Sequence, residues 1–306
     1  MSPHGRLSGL KRRVKPGDLV AKERWVATPQ QIAYLRQKAA ELRWRIVTTM
    51  GWDRIHHFGG SLSVADVITA LYFYKMRYDA ANPKWPERDR FIMSKGHSVP
   101  AQYVALAMLG VFPLEELKSF KRLGSRLQGH PAAHLTPGLE GCTGALGEGL
   151  SFANGMALAG RVQGYAYRVY CLLGDGELQE GQVWEAAMTA ARRCLSNVTA
   201  IVDRNGLKAM DEAECSKRLE PLADRWRSFG WAVTQIDGHD MAAICAALDW
   251  ADSVPEPAVI LANTVKGKGV SFIEGQAAFH NAAINEAQYQ RAVAELEAAW
   301  RLAEAV

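Results

Sequence analysis

From Gln30 to Met50 apolar side chains recur at Ile32, Leu35, Ala39, Leu42, Ile46 and Met50. Steps of three and four predict an amphipathic helix, and a second helical stretch follows over Val64–Met76. Further on the pattern changes. Arg168–Leu173 is a short apolar run ended by Gly-Asp-Gly, helical spacing follows from Glu180 to Arg193, and a second run, Val198–Val202, ends in Asp-Arg-Asn-Gly. The alternation continues with a helix over Lys217–Phe229, a run Trp231–Ile236, a helix over Met241–Trp250, and a run Ala258–Leu261 before a turn at Lys-Gly-Lys-Gly. Crossovers this long join parallel strands right-handedly, with the helices packed on the sheet. The expected fold is therefore α/β, a doubly wound, mostly parallel sheet with helices on both faces. Asn285 caps a predicted terminal helix that runs to Ala305. The predicted organisation is an extension over residues 1–29, one body over 30–284 and a C-terminal helix over 285–306.

Between Lys121 and Gly149 the periodicity lapses, with seven glycines and two prolines among 29 residues. A Gly-rich loop of that length inside a compact domain points to function. Composition narrows the choice further. A 48% hydrophobic, 22% charged chain of 306 residues has ample material for a folded core. The longest uncharged stretch, Gly96–Leu114, is interrupted by His97, Gln102 and two prolines. A bilayer span needs about 18 to 20 apolar residues, so no membrane role is expected. The net charge of +4 comes from residues 1–24, which carry seven Lys/Arg against Asp18 and Glu23, a local +5 that leaves −1 for the rest. Nucleic-acid binding, which calls for a basic stripe on the folded body, is not expected either. The extension also lacks the apolar segment of a secretory signal. The five cysteines are separated by 21 to 30 residues, too far apart for a zinc or redox pair, and read as buried reduced thiols of a cytoplasmic protein.

In a parallel α/β sheet, ligands gather at the carboxyl ends of the strands. Two successive predicted strands end in Gly174-Asp175-Gly176 and, after 28 intervening residues, in Asn205. Asp175 supplies a carboxylate oxygen, Asn205 an amide oxygen and Leu207 a backbone carbonyl. Three hard oxygen donors suit Mg²⁺ or Ca²⁺. Gly176 lets backbone approach a phosphate, and a helix expected to start at Glu180 directs its amides to the same place.

Gly174-Asp-Gly-Glu-Leu-Gln-Glu180-Gly-Gln-Val-Trp-Glu185-Ala with Asp203-Arg-Asn205-Gly-Leu207 resembles the thiamine diphosphate motif of transketolases. Five further pieces follow the family's order. They are His57-Phe-Gly-Gly-Ser-Leu-Ser, Asp89-Arg-Phe-Ile-Met-Ser-Lys-Gly-His97, Gly129-His130-Pro131, Thr143-Gly144-Ala-Leu146-Gly147-Glu-Gly149, and Thr264-Val-Lys-Gly-Lys-Gly with His280. The resemblance implies thiamine diphosphate and a divalent cation as cofactors, with the metal on Asp175, Asn205 and the Leu207 carbonyl. It implies cofactor contacts from Gly144, Leu146, Gly174, Gly176, Glu180 and Asn205. His97 and His280 match positions beside the diphosphate and the reacting centre, and His57 and His130 match contacts to substrate hydroxyls. Imidazoles titrate near neutrality, so such a cluster can move protons while a ketose is cleaved and an aldose extended. Glu180 and Glu185 match glutamates of a hydrogen-bonded network across a subunit interface, although acidic residues in the first turns of a helix also complement its dipole.

Phe58 stands where the family commonly has proline, Glu148 where glutamine is usual, and His280-Asn-Ala-Ala lacks the family's Gly and Pro. The pyrimidine-binding domain of full transketolases is not matched anywhere in these 306 residues. The chain thus resembles the N-terminal subunit of a split transketolase, whose partner, a C-terminal subunit carrying that domain, would complete an α2β2 assembly acting on sugars or sugar phosphates. Three other readings stand beside it: the α subunit of a thiamine-dependent 2-oxo acid dehydrogenase, disfavoured by the Ser-Lys-Gly-His and Gly-His-Pro histidines; a deoxyxylulose phosphate synthase, which shares Lys-Gly-Lys-Gly but is normally one long chain and lacks Glu-Leu-Gln-Glu-Gly; and a non-catalytic scaffold, disfavoured by the intact Asp175 and Asn205.

Overall fold

The computed structural model describes residues 27–207 and 219–305. Residues 1–26 of the expected extension, the start of the helix expected from Lys217, and Cys215 lie outside the described residues. Five strands form one sheet: β1 (Arg90–Met93), β2 (Val169–Gly174), β3 (Val198–Arg204), β4 (Ala232–Asp237) and β5 (Ala258–Asn263), in the order β1-β2-β3-β5-β4. Every neighbouring pair is parallel, with Val169 opposite Val198 and Thr199 opposite Ala258.

The alternation of side chains along each strand builds two cores, one on each face. Tyr170 and Leu172 of β2 join Ile201 and Ile260 under α1 (Pro29–Met50), α3 (Ala65–Ala70), α4 (Val99–Met108), α8 (Met241–Ala251) and α9 (Glu286–Glu304). Val169, Cys171 and Leu173 point the other way, toward α5 (Gly149–Gln163), α6 (Gly181–Arg192) and α7 (Leu222–Ser228). All six residues of β2 are buried, as expected of a parallel strand covered on both sides. The helices begin where local chemistry allows. Thr28 and Gln31 form a reciprocal capping box ahead of Pro29, and Asn285 and Gln288 form another ahead of α9. The α9 helix returns to α1, burying Ala292 and Leu296 and placing the Trp300 ring 5.2 Å from that of Trp44.

Several local expectations differ from the structure. The helix expected over Val64–Met76 begins earlier, as α2 (Phe58–Ser63), and after α3 loosens into one π turn over Leu71–Lys75. The shift follows from Phe58, which is fully buried and draws the His57 segment into the core. The expectation missed α4, which lies in the long uncharged stretch and has no polar face because its surroundings are apolar. The amides beside Asp175 do not come from α6: a 3₁₀ turn, Gly176–Gln179, intervenes, and Asp175 caps it through the Gly176 N–H (2.8 Å). The thiols are not uniformly buried, since Cys171 and Cys245 lie in the cores whereas Cys142 and Cys194 are exposed in loops. Among the described residues no helix is long and apolar enough to cross a membrane.

Candidate functional site

The carboxyl ends of β1, β2, β3 and β5 converge, and one buried ion pair ties them together. Lys95, just beyond β1, contacts Asp203 at the end of β3; the residues are 2% and 1% exposed respectively. The same carboxylate accepts from Ser63 Oγ of α2 (2.7 Å), from Asn205 Nδ2 (2.9 Å) and from Thr264 Oγ1 beyond β5. Burial alone would raise the Asp203 carboxyl, but Lys95 and these donors hold it below the usual carboxylate range. A second buried acid, Glu177, binds Ser94 Oγ, the Gly147 N–H (2.8 Å) and the Gly174 N–H (3.0 Å), fastening the Gly-rich loop to the ends of β1 and β2. Burial pushes its pKa up.

On this frame sit the residues expected to hold a metal and a diphosphate. Asp175 Oδ2 accepts from the Gly206 N–H at 2.7 Å, so Asp175 and the Asn205–Leu207 loop are in contact. Asn205 Oδ1 faces the Leu207 N–H (3.2 Å). Burial and the neighbouring Asp203 push the Asp175 carboxyl up, outweighing the Gly206 and Gly176 N–H groups and Lys95, which act the other way. The Leu207 carbonyl accepts from the Lys266 ammonium at 3.0 Å, so this oxygen already faces positive charge. No three His, Cys, Asp or Glu side chains are grouped to hold a metal among the described residues. The oxygens at hand are one carboxylate, one amide and one carbonyl, a hard donor set of the kind that suits Mg²⁺ or Ca²⁺. The backbone beside it is shaped for close approach. Gly144 has φ of +154° and lies against the His130 ring, where a Cβ would come within 3.1 Å. A Cβ on Gly96 would come within 2.8 Å of the Thr143 carbonyl, so two glycines let the Gly-rich loop meet the His97 turn.

The four expected histidines come together. The His57 ring lies 5.0 Å from His97, 5.5 Å from His280 and 6.3 Å from His130, and His97 lies 5.1 Å from His280. They come from four separate segments. An isolated antiparallel bridge between His56 and Ala282 fixes the first segment beside the last. Burial, then the nearby cations and imidazoles, lowers His57 and His280 to about 4 and lowers His97 and His130 as well. The cluster is therefore neutral at neutral pH, each ring able to donate from one nitrogen and accept at the other. Lys266 Nζ lies 3.0 Å from His280 Nδ1; burial, with Lys95 nearby, brings this lysine down to about 8.

Gly174 and Gly176 flank Asp175 as expected. Leu146 is 36% exposed and its carbonyl accepts from Gln182 (2.8 Å). Glu180 and Glu185 are exposed at and just inside the start of α6, and Glu148 is exposed at the start of α5. Sequence reasoning assigned no role to Lys95, Glu177, Asp203 or Lys266. The signal was weak: each lies inside a quoted motif, but only the fold shows that their side chains are buried.

The family described as transketolase, thiamine diphosphate binding domain, matches residues 37–301. A 6-deoxy-6-sulfo-D-fructose transketolase component from Clostridium sp. (strain MSTE9) is 45% identical over 264 residues, spanning 86% of this chain and 96% of that protein. An apulose-4-phosphate transketolase component from Phocaeicola vulgatus, likewise one subunit of its enzyme, is 40% identical, over 87% of this chain and 95% of that protein. The crystal structure of transketolase from Campylobacter jejuni superposes with a TM-score of 0.80 at 31% identity, over 86% of this chain and 43% of that one. The chain belongs to the transketolase family, as a diphosphate-binding subunit of the split type.

Proposed function

We propose that this chain and a C-terminal subunit carrying the pyrimidine-binding domain form a cytoplasmic α2β2 transketolase that moves a two-carbon ketol unit from a ketose to an aldehyde acceptor. Thiamine diphosphate, when bound, would supply the carbon nucleophile that this chemistry needs. Asp175, Asn205 and the Leu207 carbonyl would hold Mg²⁺ or Ca²⁺, whose charge would offset that of the diphosphate. Gly144, Leu146, Gly174 and Gly176 offer backbone to the diphosphate. His57 and His130 hydrogen-bond substrate hydroxyls, and His97 and His280, nearest Lys95 and Lys266, move protons at the reacting oxygen. Glu180 and Glu185, both solvent-facing, complete a hydrogen-bonded network with the neighbouring subunit that also reaches the cofactor. The body over 30–284 with its helix over 285–306 acts as one unit.

The observation that carries this reading is the convergence of four neutral imidazoles from four segments beside an oxygen-donor site at the strand ends. Relatives of similar length act on a sulfonated sugar and on a sugar phosphate by name, so an anionic sugar is the favoured substrate class. Purified alone the chain should transfer no ketol unit, and adding the partner should restore transfer together with metal-dependent cofactor binding. Transfer by the isolated chain, with partner contamination excluded by mass spectrometry, refutes the split-enzyme reading.

A further inference from the structure

His239 stands in the turn after β4, apart from the four clustered histidines, and its ring links α3 to the segment that follows β5. Nδ1 lies 2.7 Å from Asp66 Oδ2, and Nε2 accepts from the Val265 N–H at 2.8 Å. A backbone N–H only donates, so Nε2 carries no proton and the ring keeps its hydrogen on Nδ1, toward Asp66. Asp66 is buried, with both carboxylate oxygens against the Arg43 guanidinium of α1. Arg43 Nη2 lies 3.5 Å from the same Nδ1; both are donors, and they share Asp66 Oδ2. Burial alone would raise this carboxyl, but Arg43 and His239 hold it below the usual carboxylate range, so it remains an acceptor.

The turn is shaped to bring the ring to Val265. The Gly238 N–H bonds the Asn263 carbonyl (2.7 Å), and a Cβ on Gly238 would lie 2.5 Å from Thr264 Cγ2, so only glycine lets the two strand ends meet this closely. Val265 precedes Lys266, which is 2% exposed and whose ammonium reaches the Leu207 carbonyl and His280 Nδ1, both at 3.0 Å. An ammonium only donates, so His280 accepts at Nδ1 and keeps its proton on Nε2. The Lys266 stem passes so close to Gly59 that a Cβ there would come within 2.8 Å of its Cγ. A shift of backbone at Val265 is therefore passed on to the ammonium and to His280.

We propose that His239, oriented by Asp66 and Arg43, is a positioning residue: by accepting the Val265 N–H it fixes the Lys266 ammonium between the Leu207 carbonyl and His280, and so sets which His280 nitrogen carries the proton. The inference rests on the transketolase reading and adds to it a residue that acts through Val265 and Lys266.

Two substitutions separate the contacts of the ring. His239→Asn can direct its amide N–H at Asp66 but is too short to reach Val265, whereas His239→Gln can offer its amide oxygen to Val265. The test uses the assembled enzyme, glycolaldehyde as acceptor, and whichever of D-fructose 6-phosphate, D-xylulose 5-phosphate and 6-deoxy-6-sulfo-D-fructose the wild type uses fastest. His239→Asn should lower kcat by about 10- to 100-fold, the scale for a misplaced group at a reacting centre. KM for the ketose should change less than about 2-fold, since contacts to its hydroxyls are assigned to His57 and His130. His239→Gln should recover most of the loss. Unchanged kcat in His239→Asn, or an equal loss in both variants, would overturn the assignment. A second readout is independent of turnover: hydrogen–deuterium exchange of the Val265 amide, resolved by mass spectrometry with electron-transfer fragmentation, should be faster by about 10-fold or more in His239→Asn than in the wild type or His239→Gln. Unchanged exchange overturns the inference whatever the kinetics; the expected exchange pattern in a wild-type assembly that transfers no ketol unit leaves the positioning contact standing and removes the transketolase reading.

Discussion

Substituting Asp203 by alanine removes the one carboxylate that Lys95, Ser63, Asn205 and Thr264 share. Lys95 is 2% exposed, so its ammonium would be left in the interior with the Gly60 carbonyl (3.1 Å) as its remaining partner. Removing one member of a buried ion pair costs about 3–5 kcal/mol, because the survivor is an uncompensated charge. The orphaned donors add to this, at about 1–3 kcal/mol for a buried group left unpaired, though not additively. Asp203→Ala should therefore destabilise the chain by at least about 3 kcal/mol. Replacing both partners with apolar residues, Lys95→Met with Asp203→Leu, should cost less than Asp203→Ala alone, since no charge remains buried. The measurement is the urea midpoint by tryptophan fluorescence, with an unchanged slope as the check on comparability. Additive costs for Lys95→Met and Asp203→Ala, or a loss below about 1 kcal/mol for Asp203→Ala, would refute the claim that this pair holds the strand ends together. The pH dependence carries a sign. A carboxyl held below its unfolded value stabilises the fold above about pH 4, and that contribution is lost as pH falls through the lower folded value.

Asp175→Ala should abolish metal-dependent thiamine diphosphate binding by the assembled enzyme in calorimetry, and removing divalent metal with a chelator should do the same to the wild type; unchanged affinity would sink the metal assignment. His97→Ala and His130→Ala should each lower turnover by about 100-fold or more with little change in melting temperature, whereas unfolded variants with normal activity per folded molecule would mark them as packing residues. His56, 2% exposed, packs against Phe58 and Phe120, and among the described residues neither ring nitrogen has a hydrogen-bond partner, so His56→Phe should leave the melting temperature unchanged or raise it. Burial lowers His56, His57 and His280 to about 4, so the unfolded chain binds the extra protons between pH 6.5 and 4; stability should fall as pH drops through that window, less steeply in His56→Phe.

Much of this protein is legible in one dimension. A strand buried on both faces must be apolar throughout, and a covering helix must show one apolar stripe, so Val198–Val202 and the Ile32–Met50 series declare themselves. Turns that place oxygens at strand ends draw on Gly, Asp and Asn, so Asp175 and Asn205 could be read from their segments, whereas the four histidines were picked out through the resemblance of theirs to transketolase motifs. Where apolar surroundings close on every side, as around α4, periodicity disappears and the helix goes unread. What joins the segments was settled only in three dimensions. Lys95 and Asp203 are charged, and charged residues ordinarily face water; nothing in their own sequence says they are buried against each other, 108 positions apart. Glu177 reads as one more polar residue in a turn until the fold brings Ser94, Gly147 and Gly174 to its carboxylate.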